Sequence, residues 1–215
     1  MEGAKLCPFR FISGPNTMST IQRSKRTTSR FRWTPDQFQK AAEDGWFGDR
    51  KVELLDGDVY YMVRNPLHRN CVWKLYELFS ALLDKKQWTI TREDDVEMGD
   101  DWVPSPDVAV LRGSFDLLKD DLLKGIDVAL LVEVSHKTYA SDRGRKLPRY
   151  AHNKIPLYWI VSIEQRNVEV FSGPVGHGDL ATYAGTPLTF HEGEAVPVEL
   201  DGSVIGYLDV KEIFS

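Results

Sequence analysis

Cysteine is scarce in this sequence: Cys7 and Cys71 are the two among 215 residues. Cys7 falls in a loose polar stretch and Cys71 on an expected helix face, so no disulfide framework is expected. With no CxxC and no Cys/His cluster there is no zinc-type site either. Free thiols suit a reducing, cytoplasmic setting. No apolar run approaches the ~18 residues of a membrane span, so no membrane partner is expected. An excess of positive charge is also missing. The net charge of -5 argues against a general nucleic-acid coat protein, while leaving room for an enzyme that meets DNA through one basic face. The acidic run from Glu93 to Asp101 lacks the Asp-x-Asp-x-Asp-Gly spacing of an EF-hand loop and reads as a solvated loop. Neither an internal repeat nor an interdomain linker is visible.

What is present is globular: 42% hydrophobic against 27% charged residues is enough apolar matter for one buried core. Residues 1–30 differ, carrying Lys5, Arg10, Arg23, Lys25, Arg26 and Arg30 against Glu2 among many Ser, Thr, Gly and Pro. Such a stretch buries too little to order itself. It reads as a disordered basic extension, as sequence upstream of a start at Met18, or as an auxiliary nucleic-acid arm. Residues 31–215 read as a single mixed α/β domain. Thr34-Pro35-Asp36-Gln37 predicts a helix start with a capping box, the helix ending near Gly45. Lys51 to Met62 predicts a hairpin around Asp56-Gly57. Asn65-Pro66 opens a helix whose stripe of Cys71, Val72, Leu75, Leu78, Phe79, Leu82 and Leu83 predicts a core-facing side. Strands are expected at Trp88–Thr91, Val108–Leu111, Val128–Val134, Tyr158–Val161 and Val168–Phe171, then short strands and a closing helical turn. Val128–Val134 is apolar on consecutive positions, the mark of a central strand covered on both faces.

Two of these strands carry acids among valines: Asp107 before Val108, and Glu133 between Val132 and Val134. A buried charge is costly unless paired, so a strand that hides a carboxylate has a use for it. On adjacent strands, at a sheet edge, Asp107 and Glu133 form a pair able to hold a divalent cation, with the carbonyl of Val134 as a backbone ligand. Two carboxylates so placed repel, and at least one should have a raised pKa. Lys146, four residues after Asp142, supplies positive charge to orient water or stabilise a developing anion. If Ser141 or Asp142 caps a helix, Asp142, Lys146 and Arg149 or Tyr150 share a face. Pro148 then implies a kink, or a helix that starts near it with Lys146 at its beginning. The segment from His136 to Lys154 is locally basic, with Lys137, Arg143, Arg145, Lys146, Arg149 and Lys154 against Asp142. That is either a phosphate-contact surface or a solvated helix face. His68, in the first helical turn, reads as a capping or surface histidine or as an auxiliary site residue.

The order of these motifs resembles the Uma-two family of restriction-type endonucleases, within the PD-(D/E)XK nuclease superfamily. The resemblance covers about residues 33–215. It rests on Val52-Glu53-Leu-Leu-Asp-Gly57, His68, Ser105-Pro106-Asp107-Val108, Val132-Glu133-Val-Ser135, Asp142-Arg-Gly-Arg-Lys146-Leu-Pro-Arg-Tyr150 and Ile155-Pro-Leu-Tyr-Trp-Ile160. It implies a restriction-endonuclease-like fold, a central mixed sheet flanked by helices with an N-terminal helix and hairpin. It also implies Mg²⁺ or Mn²⁺, DNA as substrate, a homodimer, and Asp107, Glu133 and Lys146 as the catalytic set. The superfamily's usual lysine two places after the glutamate is Ser135 here, which is similar to the variant in which a lysine from the next helix substitutes. Glu53 resembles the family's upstream acid, with a hairpin surface charge as the competing reading. Ser162-Ile163 and Leu157 depart from the pattern where acids are common, and neither is a proposed ligand. From other functional classes, a catalytically weak nucleic-acid-binding module and an oligomeric regulatory protein with a structural ion-pair network remain alternatives.

Overall fold

The strand Val128–Ser135 is buried at all eight positions, because sheet neighbours flank it and a hydrophobic layer covers each of its faces. The computed structural model describes residues 29–62, 65–118 and 123–215. The expected basic extension, with Cys7 and Met18, lies outside them but for Ser29 and Arg30. The first half holds α1 (Pro35–Glu43), β1 (Val52–Leu55), β2 (Asp58–Tyr61), α2 (Pro66–Leu82), β3 (Trp88–Thr91), β4 (Val96–Glu97), β5 (Val108–Arg112) and α3 (Phe115–Leu118). Then come β6 (Leu123–Lys124), β7 (Val128–Ser135), α4 (Tyr139–Ser141), a π-helical turn (Asp142–Lys146), α5 (Leu147–His152), β8 (Leu157–Ser162) and β9 (Asn167–Ser172). The chain closes with β10 (Pro174–Val175), β11 (Thr182–Tyr183), β12 (Leu188–His191), β13 (Ala195–Leu200), β14 (Ser203–Asp209) and α6 (Val210–Ile213).

Six strands form the central sheet in the order β12-β9-β8-β7-β5-β3. Every pairing is antiparallel except β7 with β8, which run parallel. A parallel pair needs a crossover connection, and the helical run from Tyr139 to His152 supplies it. Side chains alternate between faces. Leu130, Val132, Val134, Trp159 and Val161 join the core under α2, α6 and the β13–β14 hairpin. Leu131, Tyr158 and Ile160 point to the opposite core, built with Leu147, Tyr150, Ala151 and Trp102. Glu133, between Val132 and Val134, shares this second face.

Local sequence accounts for the elements that carry the site. Thr34 and Gln37 form the reciprocal capping box of α1. The β1–β2 hairpin turns at Asp56 (φ 52°) and Gly57 (φ 71°), the left-handed pair of a tight hairpin. Its outer register is tied to the chain ahead of β5 by reciprocal Leu54–Val103 backbone bonds of 3.0 and 2.8 Å. Asn65 caps α2 by accepting from the His68 N–H, which sets His68 at the head of that helix. The acidic run after β3 is not the solvated loop expected. Val96 and Met98 are buried, and Asp95 pairs with Lys51 at 2.9 Å. Two apolar residues interleaved among the acids are enough to pull the run onto the core.

Two glycines test this picture with opposite signs. A Cβ at Gly57 would lie 2.7 Å from Arg32 Cβ on a backbone with φ +71°. Gly57→Ala should therefore cost ~1–2 kcal/mol and lower the melting temperature by roughly 2–8 °C. Gly144 lies within a helical run, and a Cβ added there would meet nothing within 4 Å, so Gly144→Ala should stabilise by ~0.4–1 kcal/mol. Thermal melts of the two variants decide both.

Candidate active site

The site begins where β5 and β7 part. Their last paired residues are Val108 and Val132, so continuing the register sets Asp107 opposite Glu133. Beyond that last pair the Val134 N–H donates to a side chain, Asp107 Oδ2, at 2.7 Å. Both acids are buried, Asp107 to 3% exposure and Glu133 to 4%. They sit at strand ends in the middle of the sheet. The expected sheet-edge position is corrected: β5 and β7 each have a neighbour on both sides.

Lys146 arrives from the crossover. The helical run starts after Thr138, so the expected Ser141 or Asp142 cap is not used. The segment Asp142–Lys146 is wound as a π turn, in which the Leu147 N–H donates to the Asp142 carbonyl five residues back. The expected late start is observed: α5 begins at Leu147, with Pro148, which offers no N–H of its own, in its first turn, and the wider π turn that joins α4 to α5 ends at Lys146. Its Nζ stands 3.0 Å from Glu133 Oε1 and 3.2 Å from Glu53 Oε2. The first contact is a hydrogen bond; the second is an ion pair outside hydrogen-bond geometry, since Glu53 Oε2 is buried with no hydrogen-bond partner. Tyr150, one turn further on, donates to the same Glu133 oxygen at 2.6 Å. Asp142 accepts from Ser135 and from Thr138, the latter at 2.7 Å, and Tyr158 donates to the Asp142 carbonyl at 3.1 Å. Glu53, His68, Asp107, Glu133, Val134, Thr138, Asp142 and Lys146 thus line one cleft of about 110 Å³.

The charges in this cleft are unbalanced. Burial pushes the Glu133 carboxyl well above the usual carboxylate range; Lys146 opposes the shift, while Asp107, Asp142 and Glu53 add to it. Burial likewise raises Asp142, against Lys146 and the two hydroxyl donors. For Lys146 burial acts the other way, but the summed field of Glu133, Glu53, Asp142 and Asp107 outweighs it and keeps the ammonium charged.

The expected phosphate-contact arginines have internal partners. Arg143 pairs with Glu169 at 2.6 Å. Arg145 reaches Asp56 at 3.0 Å and the Leu55 carbonyl at 2.9 Å. Arg149 pairs with Asp56 too, and both lie over the Trp102 ring. Lys137 is exposed. His68 is not the cap, a role that falls to Asn65; its Nε2 is 3.1 Å from Asp107 Oδ2. Three neighbours escaped the sequence reading as site residues. Tyr150 and Thr138 lie at helical spacing from Lys146 and Asp142, a signal present in the sequence. Glu93 comes into place through the β3–β5 register, where Thr91 pairs with Ala109 and Glu93 therefore falls beside Asp107.

Mixed sheet, helical crossover and acid–lysine cleft together define a restriction-endonuclease-like fold. A solved structure described as a "putative nuclease belonging to DUF820" from Anabaena variabilis has the same fold. It is 14% identical, with a TM-score of 0.61, over 84% of this chain and 97% of that one. The family model Uma2, described as "Putative restriction endonuclease", matches residues 35–205, and the chain belongs to that family. No curated protein matches it.

The raised Glu133 carboxyl makes stability depend on pH. From its ordinary value of 4.5 up to its raised one, the folded chain holds the proton that the unfolded chain releases. Its contribution is therefore complete below 4.5 and is lost as pH rises through the folded value. In EDTA, Glu133→Gln should flatten the fall in urea-unfolding stability between pH 5 and 8 relative to wild type. Parallel profiles would mean that Glu133 does not titrate abnormally.

Proposed function

We propose that this chain is a divalent-metal-dependent DNA endonuclease with Asp107, Glu133 and Lys146 as its catalytic set and Glu53 as an accessory acid. The observation that carries the reading is the meeting of two strand-borne carboxylates with a buried lysine in one cleft, in a chain of the Uma2 family. The donors suit a hard cation. Asp107 and Glu133 offer oxygens, and both donors to Glu133 converge on Oε1, so Oε2 accepts from neither. In an extended strand the N–H and C=O of one residue face the same way, so the Val134 carbonyl opens toward the gap that Asp107 occupies. Mg²⁺ or Mn²⁺ held by these oxygens would polarise a phosphoryl oxygen and acidify the attacking water.

The chain's own residues supply the rest. Lys146, kept charged by its neighbours, orients the nucleophilic water or stabilises the charge that develops on the phosphate. Tyr150 fixes the Glu133 carboxylate, while Ser135 and Thr138 fix Asp142. DNA phosphates would meet Lys137 and the solvent-facing portions of Arg143, Arg145 and Arg149, and a homodimer would bring two such sites to two strands. The specific observation favouring the regulatory alternative is that Lys146 already has two carboxylate partners, as in a structural ion-pair network.

Nicking of supercoiled plasmid separates the two readings. Asp107→Asn and Glu133→Gln should each reduce Mg²⁺-dependent cleavage by about 10²–10³-fold or more and remove the rise in melting temperature that Mg²⁺ gives the wild type. Lys146→Ala should lose cleavage yet keep that rise. Lys137→Ala should weaken DNA binding and reduce the magnitude of its log–log salt slope by ~0.9, one phosphate contact. A wild type whose melting ignores Mg²⁺, beside acid variants that melt far lower in EDTA, would sink the nuclease reading in favour of the network.

A further inference from the structure

Asp107 has acidic neighbours on both sides. The β5–β7 register sets Glu133 beside it, and the β3–β5 register sets Glu93 on the other flank. The second flank also holds a nitrogen donor. His68, Asp107 and Glu93 each offer a ligand atom, and the three atoms lie within 4.8 Å of one another. Opposite ligands of an octahedral ion with ~2.1 Å bonds are ~4.2 Å apart and adjacent ones ~3.0 Å. The 3.1 Å between His68 Nε2 and Asp107 Oδ2 matches an adjacent pair without movement.

The backbone fixes these donors before any ion arrives. The Glu93 N–H donates to the carbonyls of Pro106 and Asp107 at 3.0 and 3.2 Å, clipping Glu93 to the segment that bears Asp107. The His68 N–H is held by Asn65 Oδ1 at 3.0 Å, and the imidazole is mostly buried, at 14% exposure. A hydrogen-bonded His–Asp pair alone would not call for a second carboxylate held beside it. Asp107 is therefore shared by two unlike groups: Glu133, Glu53 and Lys146 in the cleft, and His68 with Glu93.

We propose that His68, Glu93 and Asp107 form a second divalent-cation site. Its imidazole ligand makes it select a transition metal such as Mn²⁺ over Mg²⁺, whereas the oxygen-only group accepts either. The inference concerns ion binding and does not rest on DNA cleavage. The test is Mn²⁺ titration of the full chain without DNA, followed by electron paramagnetic resonance, with pulsed detection of ¹⁴N coupling. Wild type should bind two equivalents, one of them showing directly coordinated nitrogen, and excess Mg²⁺ should displace only the other. His68→Gln, which retains a polar donor toward Asp107, should lose the ¹⁴N-coupled equivalent, and Glu93→Gln should weaken it by about tenfold or more. Glu133→Gln should lose only the oxygen-ligated equivalent. Bound Mn²⁺ with oxygen ligands alone, no bound Mn²⁺, or undiminished ¹⁴N coupling in His68→Gln would each overturn the second site. Retained ¹⁴N coupling in a protein that never nicks DNA would support it while removing the nuclease reading.

Discussion

The ammonium of Lys146 is the constraint on which the site depends. It is buried to 8% side-chain exposure, where an unpaired charge is untenable, so carboxylates must surround it. Those carboxylates come from separate places: Glu133 from the central strand and Glu53 from the N-terminal hairpin, with Asp142 one π turn earlier on its own helix. The lysine thus ties hairpin, sheet and crossover to one point. The arrangement is not a maximum of stability, because a buried ion pair seldom outweighs its desolvation against apolar replacements. What it fixes is geometry, and the π turn belongs to that function. Asp142, Lys146 and Tyr150, spaced four residues apart along this run, all reach the sheet strand that carries Glu133 and Ser135.

The elements were legible where local chemistry decides them. The Thr34–Gln37 capping box, the Asp56-Gly57 turn, the Asn65 cap and the unbroken apolar run of β7 each carry their reason within a few residues. So was the adjacency of Asp107 and Glu133, because two acids in consecutive apolar strands have few places to go. Around Lys146 the start of α5 beside Pro148 was legible, and the π turn ahead of it was not. Pro148 argues for a break, and nothing local reveals that the carbonyl-to-amide bonds can be rearranged into a π turn whose carbonyl at Asp142 is also held by Tyr158. Glu93 was hidden for another reason: its role depends on the pairing of β3 with β5, a non-local fact.

The basic segment shows the same limit from the side of charge. Arg143, Arg145 and Arg149 read as a phosphate-facing patch because their partners, Glu169 and Asp56, are distant in sequence. Asp56 is shared by two of them. It occupies a left-handed turn position, so the hairpin tip and the crossover helix are joined by charge as well as by the Lys146–Glu53 contact. Local charge balance says that a cation needs a partner; it does not say whether that partner is inside the molecule or on a nucleic acid.

This internal pairing bears on how DNA could approach. Glu53, Asp107, Glu133 and Asp142 face a single ammonium, and the nearby guanidiniums are already engaged with other acids. A phosphate entering the cleft would meet net negative charge. At ~5 Å and an effective dielectric of ~20, each uncompensated carboxylate–phosphate pair is worth about 3 kcal/mol of repulsion. On the nuclease reading the cleft therefore cannot take its substrate as a bare acidic pocket: divalent ions must enter before the phosphate or with it. Burial raises the Glu133 carboxyl, and the same excess of negative charge adds to that rise. A proton there relieves the field when no cation does, so protonation and metal loading are alternative answers to one electrostatic demand.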